Sequence, residues 1–477
     1  MNKLFLGLIF LLIMTTPSMA ANVPKVEIHG VVYDEKSNIY NKTSTWDAQN
    51  FTGFWYSIHG GKSSETLKIE NINIRSIDKE NLKYSTSRTD QKYIVFIEKG
   101  KKVENALDFD NVTKKFNKTN GGYYARLGWF GDLYVALNGK SNKLSKLLLE
   151  QKKDQKKTLK LGESWNLGEG FNITAVSLDT KTNPRQALLN LTKNDRTLDN
   201  KVVYEGDVYT YVVKNLQGES DVPIFVTYIE SIFTGAEGAA TFVQLRYTWL
   251  ISDNVTEIKL DDKFGELEVK ESNEERLILS NDGGISLSLN AVKPIYNDLK
   301  IRVADHVDLR FYPILEKTIP GKYEIRGGVY DEIKYKSLVW DAQRFPAFWY
   351  ALPGGKSSET LEIENVNILN STNRVIDKEK LIYSTIKVDR KYDVFIEKGK
   401  KVDNALEYNS TTKTFVKANQ GSYYARLGWF GNVYVAVNGK SNKLSKLILE
   451  QKKEEKKLLK IGDSWDLGEL NLTVQNR

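Results

Sequence analysis

A long internal duplication is the feature of this sequence that most constrains its fold. Residues 121–153 recur at 421–453 with five differences in 33 positions, and residues 51–67 recur at 345–361. A repeat of this length is a duplicated domain block, since solenoid units have roughly 20–50 residues. Residues between roughly 158 and 320 occur once. The 477-residue chain therefore contains one full unit and part of a second.

The first twenty residues have the pattern of a secretory signal peptide. Residues 1–3 are a short basic start, residues 4–14 are an apolar run, and Ser18, Met19 and Ala20 form a small-x-small cleavage site. The apolar run is shorter than the roughly 20 residues that a membrane-spanning helix needs. We therefore predict a signal peptide at residues 1–20 and an exported mature chain.

The side chains that most often bind metals are scarce. The chain has no cysteine and three histidines, His29, His59 and His306, which lie far apart in the sequence. These counts exclude disulfides and thiolate sites and leave no ligand set for zinc or copper, although carboxylate sites for calcium stay open. We predict no metal and no cofactor, with each domain stabilised by packing alone.

Asn-x-Ser/Thr sequons are more frequent than chance predicts. The chain has ten, where roughly five would be expected in a sequence so rich in asparagine. They begin at Asn41, Asn50, Asn111, Asn117, Asn172, Asn190, Asn254, Asn370, Asn409 and Asn471. In an exported protein such sites accept N-linked glycans, so the sequence predicts a glycoprotein.

Short segments rich in aromatic and β-branched residues recur along the mature chain. Residues 133–139, 207–213, 222–233, 241–251 and 284–292 are of this kind, and turn signals such as Asn-Gly and Asp-Gly bound several of them. No long segment has a clear helical periodicity. The pattern predicts an all-β protein of tandem β-sandwich domains, with one full two-sandwich unit and a truncated second unit.

Two lysine-rich runs, at 152–157 and 452–457, give the best signal for domain boundaries, because a new strand pattern follows each. The predicted segments are a first sandwich at 21–157, a second at 158–320, a copy of the first at 321–457, and a stub at 458–477 that either begins a further sandwich or closes the preceding one. Alternatively, each lysine run is a hairpin tip inside one sandwich, and the boundary lies nearer residue 175.

Net charge alternates along these segments. It is +8 for residues 21–157, −8 for 158–320 and +8 for 321–457. Complementary blocks of this kind can steer the association of copies. The other interpretation is a solvated surface whose composition has drifted.

The Gly-Gly-Lys-Ser-Ser segments at 60–64 and 354–358 resemble part of a phosphate-binding loop. Such a loop needs a glycine at its first position, so that the backbone can curl round the phosphates. Tyr56 and Tyr350 occupy that position here. The mismatch argues against nucleotide binding.

Aromatic clusters recur in both copies and allow two interpretations. They are Phe54-Trp55-Tyr56, Tyr123-Tyr124 and Trp129-Phe130, with copies at Phe348-Trp349-Tyr350, Tyr423-Tyr424 and Trp429-Phe430. Exposed, they could stack on sugar rings; as alternating strand residues, they would pack in the core, which we favour.

No catalytic constellation stands out among the 61 acidic residues. Asp47 and Asp341, each within Trp-Asp-Ala-Gln, are the most distinctive acids. Their setting favours capping of a turn through backbone hydrogen bonds over general acid chemistry. The basic runs have no interleaved aromatic residues, which makes nucleic acid an unfavourable partner.

Several spaced motifs resemble the S-layer duplication domain of methanogenic archaea of the Methanosarcina type. They are WDAQNF at 46–51, GFWY at 53–56, ETL at 65–67, DVPI at 221–224 and LRFYP at 309–313. The resemblance spans essentially the whole mature chain. It implies an exported, glycosylated lattice subunit built from tandem two-sandwich units, usually tethered by a C-terminal membrane helix.

The sequence departs from that family pattern in three ways. The second unit has no counterpart of residues 177–320, the sequence ends at Arg477 without a hydrophobic tail, and the net charge is basic at +8. We therefore expect no transmembrane segment in the mature chain. These differences leave open a principal lattice protein, a minor paralogue, a released subunit or a fragment of a longer gene.

The sequence as a whole favours a structural S-layer protein that acts by self-association into a porous coat at the cell surface. Its partners would be itself and other S-layer subunits, with cell-surface glycans as a further candidate and no nucleic acid. A secreted adhesin or carbohydrate-binding protein using the repeated aromatic clusters is the alternative. An enzyme is the third and least favoured hypothesis.

Overall fold

The computed structural model describes residues 25–37, 42–58, 60–235, 240–318, 325–330, 337–352, 354–364, 366–368, 374–451, 456–467, 469–473 and 475. The predicted signal peptide, His59 and the sequons at Asn41 and Asn370 lie outside these ranges. The described chain consists mainly of antiparallel strands, which confirms the all-β prediction. Its helical elements are Ile94–Lys99, Asp393–Lys398 and the 3-10 turns Leu137–Gly139 and Val437–Gly439.

Four larger sheets form the first unit. The ten-stranded sheet follows the order Phe116–Lys118, Leu107–Phe109, Tyr123–Trp129, Asp132–Ala136, Lys143–Glu150, Thr241–Glu257, Glu219–Thr234 and Val208–Leu216, with Thr89–Lys92 beside Tyr123–Trp129 and Lys156–Lys160 beside Thr241–Glu257. The six-stranded sheet follows the order Lys263–Phe264, Leu267–Ser272, Arg276–Asn281, Leu82–Ser87, Glu65–Ile69 and Ser44–Asp47.

The other two sheets are smaller. The five-stranded sheet contains Lys25–His29, Arg310–Thr318, Leu299–Val303 and Val292–Tyr296, with Tyr33–Asp34 also paired to Arg310–Thr318. The four-stranded sheet follows the order Ser164–Gly168, Phe171–Asp179, Gln186–Lys193 and Arg196–Tyr204. Two-stranded ribbons pair Tyr56–Ser57 with Lys62–Ser63 and Ser76–Ile77 with Ile285–Ser286.

The described residues of the first unit form two large hydrophobic cores, and the ten-stranded sheet contributes to both. Strand Tyr123–Trp129 is buried at nearly every position, whereas a strand with one solvated face alternates buried and exposed residues. Ala125 and Leu127 belong to the first core, and Tyr124 belongs to the second. The strand is therefore covered on both faces, which explains its continuous run of buried side chains.

The lysine run at 152–157 joins two strands of one sheet. Strand Lys143–Glu150 pairs with the second half of strand Thr241–Glu257, and strand Lys156–Lys160 pairs with the first half. Both cores contain residues from either side of residue 157. Residue 175 lies within strand Phe171–Asp179.

Neither boundary inferred from the sequence thus separates the two cores. The reason is long-range pairing: strand Leu82–Ser87 pairs with Arg276–Asn281, and Lys25–His29 pairs with Arg310–Thr318. A division at 157 or 175 would cut strands away from the partners that complete their sheets. The boundaries of the repeat, at 321 and 457, stay predictions.

The repeat builds most of the elements found in the first half of the unit. Its main sheets are Ser337–Asp341, Glu359–Glu364 and Leu381–Thr385, and Thr414–Lys417, Leu406–Asn409, Tyr423–Trp429, Asn432–Ala436 and Leu444–Lys446 with Val388–Lys391 beside Tyr423–Trp429. Its ribbons are Tyr350–Ala351 with Lys356–Ser357, Val366–Ile368 with Arg374–Ile376, Val402–Asp403 with Gln420–Gly421, and Ser464–Asp466 with Asn471–Thr473.

Candidate functional site

The two Trp-Asp-Ala-Gln turns, one in each copy, meet where the first unit contacts the repeat. Gln49 Oε1 accepts a hydrogen bond of 2.8 Å from the backbone N–H of Val329. Gln343 Oε1, at the equivalent position in the repeat, accepts one of 2.6 Å from the N–H of Val32. The two valines are also equivalent, within Gly-x-Val-Tyr-Asp-Glu segments. The contact is therefore reciprocal, as in a two-fold symmetric dimer.

The tryptophan of each turn anchors the segment that carries this valine. Trp46 Nε1–H donates a hydrogen bond of 2.7 Å to the carbonyl oxygen of Val31. Trp340 Nε1–H donates one of 2.6 Å to the carbonyl oxygen of Gly328. Each valine N–H is thus presented to the other copy from a fixed position.

The aspartate of each turn caps it, as the sequence predicted. Asp47 Oδ1 accepts a hydrogen bond of 2.8 Å from the N–H of Gln49. Asp341 Oδ1 accepts one of 2.9 Å from the N–H of Gln343. These bonds orient the glutamine backbones, so the acids are positioning residues for the contact between copies.

Arg326 adds a charged group to this contact. Its guanidinium donates hydrogen bonds to the carbonyl oxygens of Ala48, at 2.7 Å, and Phe54, at 2.8 Å. It also lies 5.6 Å from the ring centroid of Tyr56, within the range of a cation–π interaction. Burial lowers the pKa of Arg326 to about 10, although Tyr56 and Asp47 act in the opposite direction.

His29 holds the position equivalent to Arg326 on the other side of the contact. Its ring centroid lies 5.0 Å from that of Tyr312 and 6.4 Å from that of Tyr350, the equivalent of Tyr56. Burial lowers the pKa of His29, and its bond to the Gly30 carbonyl and the charge of Asp341 only partly oppose this effect. The two halves of the contact therefore share geometry and differ in charge.

A second candidate surface is a face of the repeat that is covered in the first unit. In the first unit, Trp129 and Phe130 are 6% and 4% exposed. Trp129 packs edge-on to Phe264 with ring centroids 5.2 Å apart, and Phe130 packs on Tyr296 at 4.7 Å. Strand Arg276–Asn281 pairs beside them with Leu82–Ser87.

The equivalent residues of the repeat are exposed. Trp429 is 42% exposed, Phe430 63% and Leu381 53%. Strand Leu381–Thr385 lies at the edge of its three-stranded sheet within the described residues. We call Tyr383, Trp429, Phe430 and this strand edge the open face.

A fully buried carboxylate holds the backbone under the aromatic pair in the first unit. Glu65 Oε1 accepts hydrogen bonds of 2.9 Å from the N–H of Gly131 and from the Tyr84 hydroxyl. Its Oε2 accepts a bond of 3.3 Å from the N–H of Trp55. Burial raises the pKa of Glu65 to about 7, and these donors oppose the shift.

Glu359 makes the same contacts beneath the open face. It accepts hydrogen bonds of 2.9 Å from Gly431 and the Tyr383 hydroxyl, and one of 3.4 Å from Trp349 N–H. The open face is thus held in the same local conformation as its covered counterpart.

The Gly-Gly-Lys-Ser-Ser segments bind groups of the protein itself. Lys62 forms an ion pair of 2.6 Å with Asp90, and Lys356 forms one with Asp389. The hydroxyl of Ser64 accepts a hydrogen bond of 2.7 Å from the N–H of Gly128. The lysine and serine therefore connect the ribbon and the residue after it to the ten-stranded sheet.

Comparison with known proteins shows the family to which the chain belongs. The family model described as S-layer protein matches residues 35–305 and 330–475. The chain belongs to the S-layer protein family. This match confirms the resemblance seen in the spaced sequence motifs.

Curated relatives of this S-layer family member come from Methanosarcina species, and each is named Major S-layer protein. The relative from M. barkeri (strain Fusaro / DSM 804) is 28% identical over 467 residues, covering 95% of this chain and 61% of the relative. Those from M. acetivorans and M. mazei are 28% and 29% identical, covering 97% of this chain in both cases and 64% and 63% of the relatives. The chain therefore spans less than two thirds of their length.

Most of the repeated aromatic residues pack inside the first unit of this S-layer family member. Phe54, Tyr124, Trp129 and Phe130 are buried, in agreement with the packing interpretation. Trp55 is half-buried and lies 5.3 Å from the Arg126 guanidinium. Sequence reasoning did not predict that the equivalent aromatic pair of the repeat would be exposed.

A cleft of about 450 Å³ opens beside Arg326. Its walls include Trp55, Tyr56 and Leu133 from the first unit and Ile325 next to the arginine. The cleft combines aromatic rings with a cationic group at the contact between copies.

The predicted sequons differ in exposure. Asn111, Asn117, Asn254, Asn409 and Asn471 are exposed. Asn50 and Asn172 are half-buried, and their side-chain amides bind backbone carbonyl oxygens of nearby residues. Asn190 is also half-buried and lies in a strand paired on both sides.

Part of the charge alternation is neutralised within the first unit. Glu219, from the acidic block, is buried and forms ion pairs of 3.1 Å with Lys140 and 2.9 Å with Lys143, both from the preceding basic block. In the described part of the chain, no helix is long and apolar enough to cross a membrane. No three His, Asp or Glu side chains of that part cluster as metal ligands would.

Proposed function

We propose that this chain is a structural subunit of an S-layer, exported to the cell surface, where it acts by self-association into a porous coat. Its role is structural, not catalytic. Membership of the S-layer family supports this function, as does the name Major S-layer protein carried by its relatives.

The observation that carries the proposal is the reciprocal contact between the two copies of the unit. Gln49 and Gln343 accept equivalent hydrogen bonds from equivalent segments. The same surface of the unit thus binds a second unit of the same kind. Units of this kind therefore associate with each other, and because this contact closes on itself, a lattice would use further surfaces of the chain.

Export, glycosylation and further partners belong to the same proposal. The signal-peptide pattern at residues 1–20 would direct the chain out of the cell, and the exposed sequons would carry glycans. Other S-layer subunits and cell-surface glycans are the expected partners.

Electron microscopy of the purified mature chain, residues 21–477, tests self-association. Salt is lowered stepwise and calcium is titrated in parallel. Ordered sheets or regular oligomers are expected, and their loss as salt rises would link assembly to charged faces, because salt screens such contacts. A persistent monomer at high concentration would contradict the proposal.

Carbohydrate binding is the second candidate function, and the cleft beside Arg326 favours it. Trp55 and Tyr56 offer rings for stacking on sugars, and Arg326 offers hydrogen-bond donors. Glycan-array binding that Trp55→Ala abolishes would support this function, while unchanged binding by that variant would remove the cleft from consideration.

A further inference from the structure

The two copies of the unit present the same surface in two states. In the first unit the surface is covered by residues 263–296, which include Phe264 and Tyr296. In the repeat, the open face has no cover among the described residues. The difference in exposure between the two surfaces is therefore due to the covering segment, residues 263–296.

Most residues that contact the covering segment are the same in both copies. The equivalent pairs are Leu82 and Leu381, Tyr84 and Tyr383, Thr86 and Thr385, Trp129 and Trp429, and Phe130 and Phe430. The neighbouring positions Lys83 and Ser87 are replaced by Ile382 and Ile386. The open face therefore has most of the side chains that contact the covering segment in the first unit.

The open face is already formed without its cover. Tyr383 stacks on Phe430 with ring centroids 4.3 Å apart and an interplanar angle of 13°. The covered pair, Tyr84 and Phe130, has values of 4.2 Å and 14°. A preorganised face loses little conformational entropy when it binds.

The strand edge supplies the second element of recognition. In the first unit, strand Leu82–Ser87 pairs with Arg276–Asn281 through a register that places Leu279 opposite Tyr84 and Leu277 opposite Thr86. Among the residues that the structure describes, strand Leu381–Thr385 pairs on one side, with Glu359–Glu364. Its other side offers backbone donors and acceptors to an added strand.

We propose that the open face docks an antiparallel β-segment with the side-chain pattern of residues 263–296, supplied by a second polypeptide of the S-layer family. The copy of this segment within the chain is already part of the first core, through Phe264 and Tyr296. It is therefore not free to cover the repeat, and the docked segment must come from a polypeptide whose copy is not packed in such a core. This inference rests on the proposed function, since it names a partner surface for assembly.

A synthetic peptide of residues 263–296 is the probe, added to the purified mature chain. Saturable binding is expected, with slowed amide exchange in strand Leu381–Thr385 and a blue shift of tryptophan fluorescence as Trp429 is covered. Phe430→Asp should weaken binding by about tenfold or more, because it places a charge at the centre of the apolar contact.

Two controls distinguish specific docking from nonspecific hydrophobic binding. Val416→Asp changes another exposed apolar residue, which is 60% exposed. The equivalent residue in the first copy is Asn117, and the position lies off the open face. It should bind the peptide as the parent chain does. A peptide carrying Leu277→Asp and Leu279→Asp should not bind.

Three results would overturn the docking surface. The first is the absence of saturable binding, and the second is equal binding by the Phe430→Asp chain. The third is a dimer that forms without peptide and that Phe430→Asp abolishes. Such a dimer would show that the open face binds the open face of a second copy. Failure of the chain to form ordered sheets would count against the proposed function and not against docking, whose readout is peptide binding.

Discussion

Gln49 and Gln343 occupy the same position in the two copies of the unit, and each accepts a hydrogen bond from the backbone of the other copy. Their donors, Val329 and Val32, are equivalent as well. A contact of this isologous kind closes on itself, because each surface is used once. Extension into a lattice must therefore use other surfaces of the chain.

Replacing both glutamines tests this contact. Gln49→Ala with Gln343→Ala leaves two backbone N–H groups without their acceptors, which costs about 1–3 kcal/mol for each buried group. We expect faster proteolysis between the two copies and a lower unfolding midpoint. Gln217→Ala, at an exposed position, is the matched control; equal effects of control and double variant would contradict the role of the contact.

The equivalent residues Phe130 and Phe430 are a matched pair for measuring how much burial of the ring contributes to stability. Phe130→Ala removes a ring that packs between Tyr84 and Tyr296 and should cost about 3–5 kcal/mol. Phe430→Ala removes a largely exposed ring and should cost less than about 1 kcal/mol. Denaturant unfolding of the two variants measures the difference. Equal costs would show that the open face is covered in solution.

Local pattern predicted the strands and several of their roles. Alternation of apolar and polar residues indicated strands, and strand Gln186–Lys193 shows the alternation directly, with Ala187, Leu189 and Leu191 buried. The capping role of Asp47 followed from short-range turn chemistry. Both features depend on residues that are close in sequence.

Strand partners and the contact site could not be predicted in the same way. Periodicity shows which face of a strand is buried, and it does not show which strand lies beside it. Nothing local to Leu82–Ser87 indicates Arg276–Asn281 as its neighbour. Gln49 and Val329 are 280 positions apart, and no local pattern in the sequence indicates that they are in contact.

Gly128 is packed against the buried carboxylate, so its replacement by alanine should destabilise the chain. An added Cβ would overlap with Glu65 Oε2. Overpacking of this kind costs about 1–3 kcal/mol. Gly283→Ala, where a Cβ would meet no atom within 4 Å, should be close to neutral. Similar thermal unfolding midpoints for the two variants would contradict the packing argument.

Exposure predicts which sequons carry glycans. Glycopeptide mass spectrometry of the chain from its native cells should find modification at Asn111, Asn117, Asn254 and Asn409, which are exposed. Asn190 should be unmodified, because it lies half-buried in a strand paired on both sides. Full occupancy at Asn190 would mean that glycans are attached before the sheet forms.

Glu65 should make stability depend on pH. Burial raises its pKa from 4.5 to about 7 in the folded chain, so the folded state binds this proton more tightly than the unfolded state. Its contribution is fully present below pH 4.5 and is lost as pH rises to 7, a decrease of about 3 kcal/mol in the free energy of unfolding.

His29 acts in the opposite direction in part of the same window, because its pKa is lowered from 6.5 and its contribution is lost as pH falls. The difference between the parent chain and Glu65→Gln therefore isolates the carboxylate, since glutamine does not titrate. Urea unfolding from pH 4 to 8 should show a decrease in the parent that the variant lacks. Parallel curves for the two chains would mean that Glu65 is ionised throughout this range.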